Sequence, residues 1–293
     1  MMKMEFDYLP EKYRAIHKAC FELIQQIEEF IIGKEYWFLK EFELKLTKEE
    51  KECLDECGDV WEYLKKYDKE QLYKLLSKQL ILGLLMDFCY FMGESMDCSK
   101  KRKLVVSYAL LRKPLVDNLI ILLRIMFDKS FFDKFIERDD YDPASAKDDE
   151  VKELLNKTDD WGMGFITGAE IYDCIFEKKY TGSVVNVSNK AIHPVTTRSW
   201  NKTGAMNLNF AFVTKKELTG LWKHYYAKLP AILVFYSDLF NRAIFDLFKD
   251  EVDMELYPKR MQRMLEILLP VVSRDKRWEK YYNNRIKECE SFD

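Results

Sequence analysis

From residue 10 onward, apolar side chains recur three and four positions apart. Ile16, Cys20, Leu23, Ile24, Ile27, Phe30 and Ile31 form the buried stripe of an amphipathic helix over 10–31. The next stretch, "EYWFLKEFELKL" at 35–46, reads equally as a strand or as a continuing helix. Thr47 followed by Glu50 is a capping box, in which the hydroxyl accepts from the Glu50 amide and the carboxylate reaches back, so a helix starts there and runs to about Tyr67. Asp68 followed by Gln71 repeats the signal and opens a long helix through Met96, with "DCSK" as its stop. One more helix covers 101–127, and shorter ones cover 129–138 and 143–157, the last opened by Asp142 as cap and Pro143 in the first turn. Thr214 and Glu217 form another capping box, starting a helix to about Phe248 that must absorb Pro230, and a last helix falls near 258–289.

The helical order is interrupted between Asp159 and Val213. After a short helix near 167–178, no helical period is visible from Tyr180 to Val213. Connections in compact domains rarely exceed about 12–15 residues without structure of their own, and longer ones are usually functional or disordered. Val184, Val185, Val187, Ile192, Trp200, Met206, Leu208, Phe210 and Phe212 make this one apolar enough to dock on the helices. "VVNV" and "NLNFAF" alternate as short strands do, which predicts a small hairpin. The expected fold is mainly α: a multi-helix bundle of long helices in a single large domain over 1–293. Near 180–213 it carries one docked, irregular, β-hairpin-containing insertion.

Composition fits that expectation and narrows the chemistry. With 10 Gly and 7 Pro in 293 residues, the chain lacks the turns of an all-β fold. At 48% hydrophobic it can bury a large core. Seven cysteines, an odd number in no paired framework, read as reduced thiols. Cys53 and Cys57 could share a helix face, but they supply two of the four ligands a structural zinc wants, so no metal and no cofactor is expected. "MMKMEFDYLP" has no apolar run after its charge, and the apolar stretches at 80–92 and 115–127 fall short of the ~20 residues that span a bilayer. A soluble, cytoplasmic protein without a membrane partner is the expectation.

Net charge is only −3, so attraction to an anion must be local. Lys178, Lys179, Lys190, Arg198, Lys202, Lys215, Lys216, Lys223 and Lys228 face a single acid, Glu217, which gives +8 over 178–228 and leaves −11 on the remainder. Ten acids against four bases over 137–160 supply −6 of that. The two segments could face each other or be solvated separately. Alternatively, "HPVTTRSWNKT" (193–203) offers His193, Arg198 and Lys202, with several hydroxyls, to a phosphate or nucleic-acid backbone.

A second candidate lies in "SYALLRKPLVDNLIILLRIMFD" (107–128). Four-residue spacing allows the pairs Lys113–Asp117 and Arg124–Asp128 on one edge. Arg112 shares a face with Val116, Leu119 and Leu123, and must find a partner there or act as an anion ligand; Asn118 lies with Leu111, Pro114 and Leu122. Pro114 frees the carbonyl of Leu110 and kinks the helix nearby. His17, between Arg14 and Lys18, reads as a surface or boundary residue, and His224 as one packed among aromatics.

The all-helical pattern with His193 and Arg198 resembles the HEPN class of bacterial defence and toxin proteins, whose signature is an arginine followed about four to six residues later by a histidine on one helix. Here His193 precedes Arg198, and Arg112 is followed at the matching distance by Asn118. The resemblance implies a ribonuclease-like toxin or defence effector, with His193 as acid–base group and Arg198 and Lys202 as charge stabilisers. The residues themselves point first to a binding protein with a local anion site at Arg112, Asn118, Arg198 and Lys202. Its partner would be a protein, a phosphate-bearing ligand or RNA, and homo-oligomerisation stays open.

Overall fold

The computed structural model describes residues 6, 8–161, 166–211, 213–271 and 276–290. Among them it is all-helical and contains no strand. Helix α1 (Arg14–Ile32) lies between two much longer helices, α4 (Lys69–Lys100) and α11 (Lys215–Leu247), with α5 (Leu104–Arg112) against α4 and α12 (Leu256–Leu268) against α1. Their inner faces enclose the main core, with Leu23, Ile27, Leu85, Met92, Leu119, Leu233 and Phe240 at its heart. A smaller second core forms where α3 (Val60–Tyr67) meets the start of α4, around Tyr63, Leu64, Leu72 and Leu75.

Local capping chemistry explains the helix starts. Thr47 and Glu50 close both halves of their box at the head of α2 (Lys48–Cys57), and Thr214 with Glu217 does the same for α11. Asp68 accepts from the Gln71 amide at 3.1 Å to open α4. The expected single helix over 47–67 is instead two. Gly58 adopts a left-handed φ of 69°, which ends α2 and turns the chain into α3. Nor does "DCSK" stop α4, which runs through it to Lys100 and ends where Arg102 takes a φ of 64°.

The helix expected over 101–127 is divided at Pro114. Five residues, Lys113–Asp117, wind into a wider π turn between α5 and α6 (Asn118–Phe127), accommodating the missing amide without ending the rod. The Tyr236 hydroxyl on α11 donates to the Pro114 carbonyl at 2.9 Å and fixes this turn to the core. Lys113 pairs with Asp87 on α4 at 2.5 Å rather than with Asp117. Arg124 is buried rather than on a solvated edge. It reaches Glu150 at 2.6 Å and the carbonyls of Pro143 and Ser145 at 2.8 and 2.7 Å. Those bonds hold 142–145 as a turn, so α8 begins at Asp148 (Asp148–Asn156) and not at Pro143. Helix α7 (Phe131–Glu137) precedes that turn.

The expected hairpin is absent, because "VVNV" belongs to a helix. After α9 (Gly168–Ile175), Ser183 caps α10 (Val184–Ile192) by accepting from the Asn186 amide at 3.3 Å. Val184, Val187 and Ala191 then fall on one helical face, and α10 packs along α5. The β propensity of valine is weak against a cap and a matching apolar face. "NLNFAF" runs through turns, with Phe210 at a φ of 59°, and its Phe212 lies outside the described residues. The chain closes with α12 and α13 (Lys276–Glu290) where one helix was expected.

By length and composition, α4 is the one helix among the described residues able to cross a membrane. Half of its apolar window is buried inside the protein.

Candidate anion-binding surface

The segment between α9 and α11 is built on side-chain amides. The Asn186 side chain donates to the carbonyls of Lys178 and Tyr180 at 2.7 and 2.8 Å, fixing the turn that leads into α10. Asn201 is buried and donates to the Asn186 carbonyl at 2.9 Å, drawing the following loop back onto the helix. Within the loop, Thr203 donates its amide to the Thr196 carbonyl at 2.8 Å and accepts the Thr196 amide on its hydroxyl at 2.7 Å. Asn209 closes the base, its side chain donating to the His193 carbonyl at 2.7 Å and its amide to the Pro194 carbonyl at 2.8 Å.

His224 pins the whole unit to α11. Its Nε2 donates to the Gly182 carbonyl at 2.7 Å, so Nδ1 is left to accept from the Tyr108 hydroxyl at 2.8 Å. Burial holds its pKa below the usual imidazole value and keeps the ring neutral at neutral pH. Gly182 sits close to its neighbours at this crossing: a Cβ there would stand 2.9 Å from the tip of the exposed Tyr180 ring, which would have to turn aside.

The loop is stitched together but not covered. Of the residues expected to dock on the helices, Val184 and Val187 are buried and Val185 and Phe210 are partly buried against the core, whereas Ile192, Trp200, Met206 and Leu208 are exposed; Val195 is exposed beside them. Of the nine bases between 178 and 228, Lys178 alone forms an ion pair among the described residues, with Asp148 at 2.8 Å. The acidic 137–160 segment therefore leaves eight of these cations without a carboxylate. Glu217, whose Oε2 accepts the Thr214 amide at 2.7 Å in the capping box, keeps its negative charge and is the single acid set against these eight.

Lys190 from α10 and Lys202 from the loop line one cavity of about 410 Å³, together with Thr181, Thr203, Asn207 and Asn209; Glu217 lies at its α11 side. A second cavity of about 650 Å³ shares Val213 and Leu221 with it, so the two flank the start of α11. Arg102 and Lys215 line the second one, and no acid among the described residues does. A further cavity, about 670 Å³, lies elsewhere, along 41–46, and its Lys74 and Lys78 are already paired with Glu251 at 2.7 and 2.6 Å.

The residues singled out in the sequence are only partly brought together. Lys202 is in the basic cavity. Arg198 is exposed on the same loop with its guanidinium 6.0 Å from the Trp200 ring, and His193 is exposed at the end of α10. Arg112 is half-buried and donates to the Asn189 side chain, one turn before His193 on α10, so α5 and the end of α10 bring Arg112 and His193 to one region. Asn118 is elsewhere, directed to Asp87 on α4 at 3.4 Å. Lys190 was missed as a candidate. Its signal was present in the i, i+3, i+7 spacing of Val184, Val187 and Ala191, which puts 190 at the edge of the buried face once α10 is read as a helix.

His17 is no boundary residue: it is buried on α1 against Tyr226. Cys20, Cys53, Cys57, Cys89, Cys98 and Cys174 are free thiols, and burial pushes Cys89 up to about 12, which leaves it protonated. Among the described residues, no group of three or more His, Cys, Asp or Glu could hold a metal ion. Compared with protein-family models, curated proteins and solved structures, the chain matches none.

Proposed function

We propose that this is a helical binding protein of the reduced cytoplasm. It takes a phosphate-bearing anion, RNA foremost, on the surface made by α10, the 193–211 loop and the start of α11. The observation that carries this reading is that Lys190 and Lys202 line one cavity, inside a run of eight cations that form no ion pair among the described residues and outnumber the single acid of the run, Glu217. Unpaired ammonium groups with amide and hydroxyl neighbours bind phosphate oxygens by charge-assisted hydrogen bonds. The neighbouring cavity, with Arg102 and Lys215, lets a polymer of phosphates continue past the start of α11.

The test is fluorescence anisotropy with a single-stranded RNA oligonucleotide over a salt series. Affinity should fall steeply with salt, and Lys190→Ala with Lys202→Ala should weaken binding and reduce the salt slope by about one for each phosphate no longer neutralised. A wild-type protein that retains neither RNA nor nucleotides at low salt ends the proposal.

A second reading is favoured by the hydrogen bond of Arg112 to Asn189, four residues before His193 at the end of α10. It is a phosphodiester-cleaving toxin or defence enzyme of the kind the HEPN resemblance implies, with His193 as acid–base group and Arg112, Arg198 and Lys202 offsetting charge. Loss of RNA cleavage with retained binding in His193→Ala, by about 10²-fold or more, would establish it. Binding without cleavage in the wild type rejects it and leaves the first reading standing.

A further inference from the structure

Residues 41–46, which join the short 3-10 turn Lys34–Leu39 to α2, alternate in exposure: Phe42, Leu44 and Leu46 are half-buried, and Glu41, Glu43 and Lys45 are exposed. A period of two is that of an extended strand, whose successive side chains point to opposite faces. The three apolar residues pack on the second core beside Tyr63, Leu64, Leu72 and Leu75. Glu41 anchors the segment, its carbonyl accepting from the buried Lys78 ammonium at 3.2 Å. Among the described residues, the peptide groups of 42–46 form no hydrogen bond, and the cavity of about 670 Å³ runs alongside them. A strand with unpaired peptide groups is a template for a second strand.

We propose that this segment pairs antiparallel with the same segment of a second copy of the chain, centred on Leu44, as the seam of a homodimer. The charges select both the occupant and the register. Centred on Leu44, Glu43 of each copy lies opposite Lys45 of the other, while Leu44 meets Leu44 and Phe42 meets Leu46 on the apolar face. Directly opposed residues are the pairs whose side chains interact most strongly in an antiparallel ladder. A shift of two residues sets Glu43 against Glu43 or Lys45 against Lys45, and a shift of one turns the second copy's apolar face outward. Neither Glu43 nor Lys45 forms an ion pair within its own chain among the described residues, so both are available to the second copy. A twofold axis normal to the paired strands leaves each apolar face on its own core and makes the contact isologous. Six residues a side bury less than the roughly 1,200 Å² of a lasting interface, even with the half-exposed ring of Tyr67 beside the cavity, so the dimer is weak and concentration-dependent.

Sedimentation velocity of the full chain over a concentration series tests this. The wild type should shift towards dimer as concentration rises. Glu43→Lys and Lys45→Glu should each remain monomeric, because each sets like charges opposite one another. An equimolar mixture of the two variants should dimerise again, since each then meets the opposite charge on the other, an outcome that misfolding could not produce. Hydrogen exchange at the wild-type amides of 42–46 should slow as concentration rises. A wild type that stays monomeric throughout leaves this edge to a strand of a different protein and overturns the homodimer. A dimer untouched by the single reversals, a mixture that behaves as its components do, or exchange independent of concentration overturns it equally.

Discussion

The imidazole Nδ1 of His17 lies 2.7 Å from the Tyr226 hydroxyl, joining α1 to α11 at a point where His17 is 2% exposed. The same hydroxyl is 3.1 Å from Ser99 Oγ on α4, so three long helices meet on one phenol. Burial, and then the charge of Lys100, lower the His17 pKa from 6.5 to about 4. The unfolded chain therefore takes up this proton first. The stability that a neutral His17 preserves is complete above 6.5 and is lost as pH falls from 6.5 towards about 4. The whole window is worth on the order of 3 kcal/mol. Urea unfolding across it should show the wild type weakening, and His17→Asn losing less over the same interval. Parallel pH profiles would mean that the imidazole is not held neutral.

Two arginines, one at the end of α5 and one in α6, should respond differently to truncation. Arg112 is half-buried and its partner is the neutral Asn189 amide, so Arg112→Met should cost about 1.5–3 kcal/mol, the scale of a hydrogen bond to a charged group. Arg124 is 4% exposed, and its removal strands the Glu150 carboxylate and the carbonyls of Pro143 and Ser145. Arg124→Met should cost about 3 kcal/mol or more. Unfolding midpoints of the two variants give the order directly.

What the sequence revealed and what it hid divide by the reach of the interaction. Thr47 with Glu50, Asp68 with Gln71 and Thr214 with Glu217 act over three residues, so the starts of α2, α4 and α11 were legible. The Ser183 cap is equally local, but the β propensity of the valines that follow it points the other way, and this masks α10 and, with it, the place of Lys190. His17 stands three and seven positions before Cys20 and Ile24, on the buried face of α1, but its charged neighbours Arg14 and Lys18 masked the phase. The partner that makes its burial tolerable, Tyr226, is 209 residues away. In the same way, the kink at Pro114 could be foreseen, but the hydroxyl that holds it comes from Tyr236. In the candidate site, local composition pointed to Arg198 and Lys202, but only folding decides which cations share a cavity.

Gly58 offers a test free of packing effects. Its φ is 69°, and a Cβ added there would meet nothing within 4 Å. Any loss in Gly58→Ala is then conformational, the cost of holding a residue with a side chain in the left-handed region, about 1 kcal/mol. Gly83, within α4 and equally open to a Cβ, should respond the other way, Gly83→Ala gaining up to about 1 kcal/mol in helix propensity. Opposite shifts in thermal midpoint are expected; shifts of the same sign would contradict the turn between α2 and α3.

Arg285 on α13 and Asp238 on α11 pair at 2.7 Å with both side chains 2% exposed, and Tyr281 adds its hydroxyl to the same carboxylate at 3.1 Å. Removing one member of such a pair leaves a charge in the interior, so Arg285→Met should cost about 3–5 kcal/mol near neutral pH. The size of that loss should itself depend on pH. Burial already raises the Asp238 pKa in the intact pair, and without the guanidinium the carboxyl rises further and becomes protonated in the folded state. A folded-state pKa above the unfolded one means that folding is favoured by protonation, so the penalty is full above the raised value and shrinks as pH falls through it. Asp238→Asn in the Arg285→Met background removes the titrating group and should flatten this dependence. Urea midpoints of the single and double variants across the acid range decide the matter: a penalty that does not change with pH would mean that Asp238 finds another cation once Arg285 is gone.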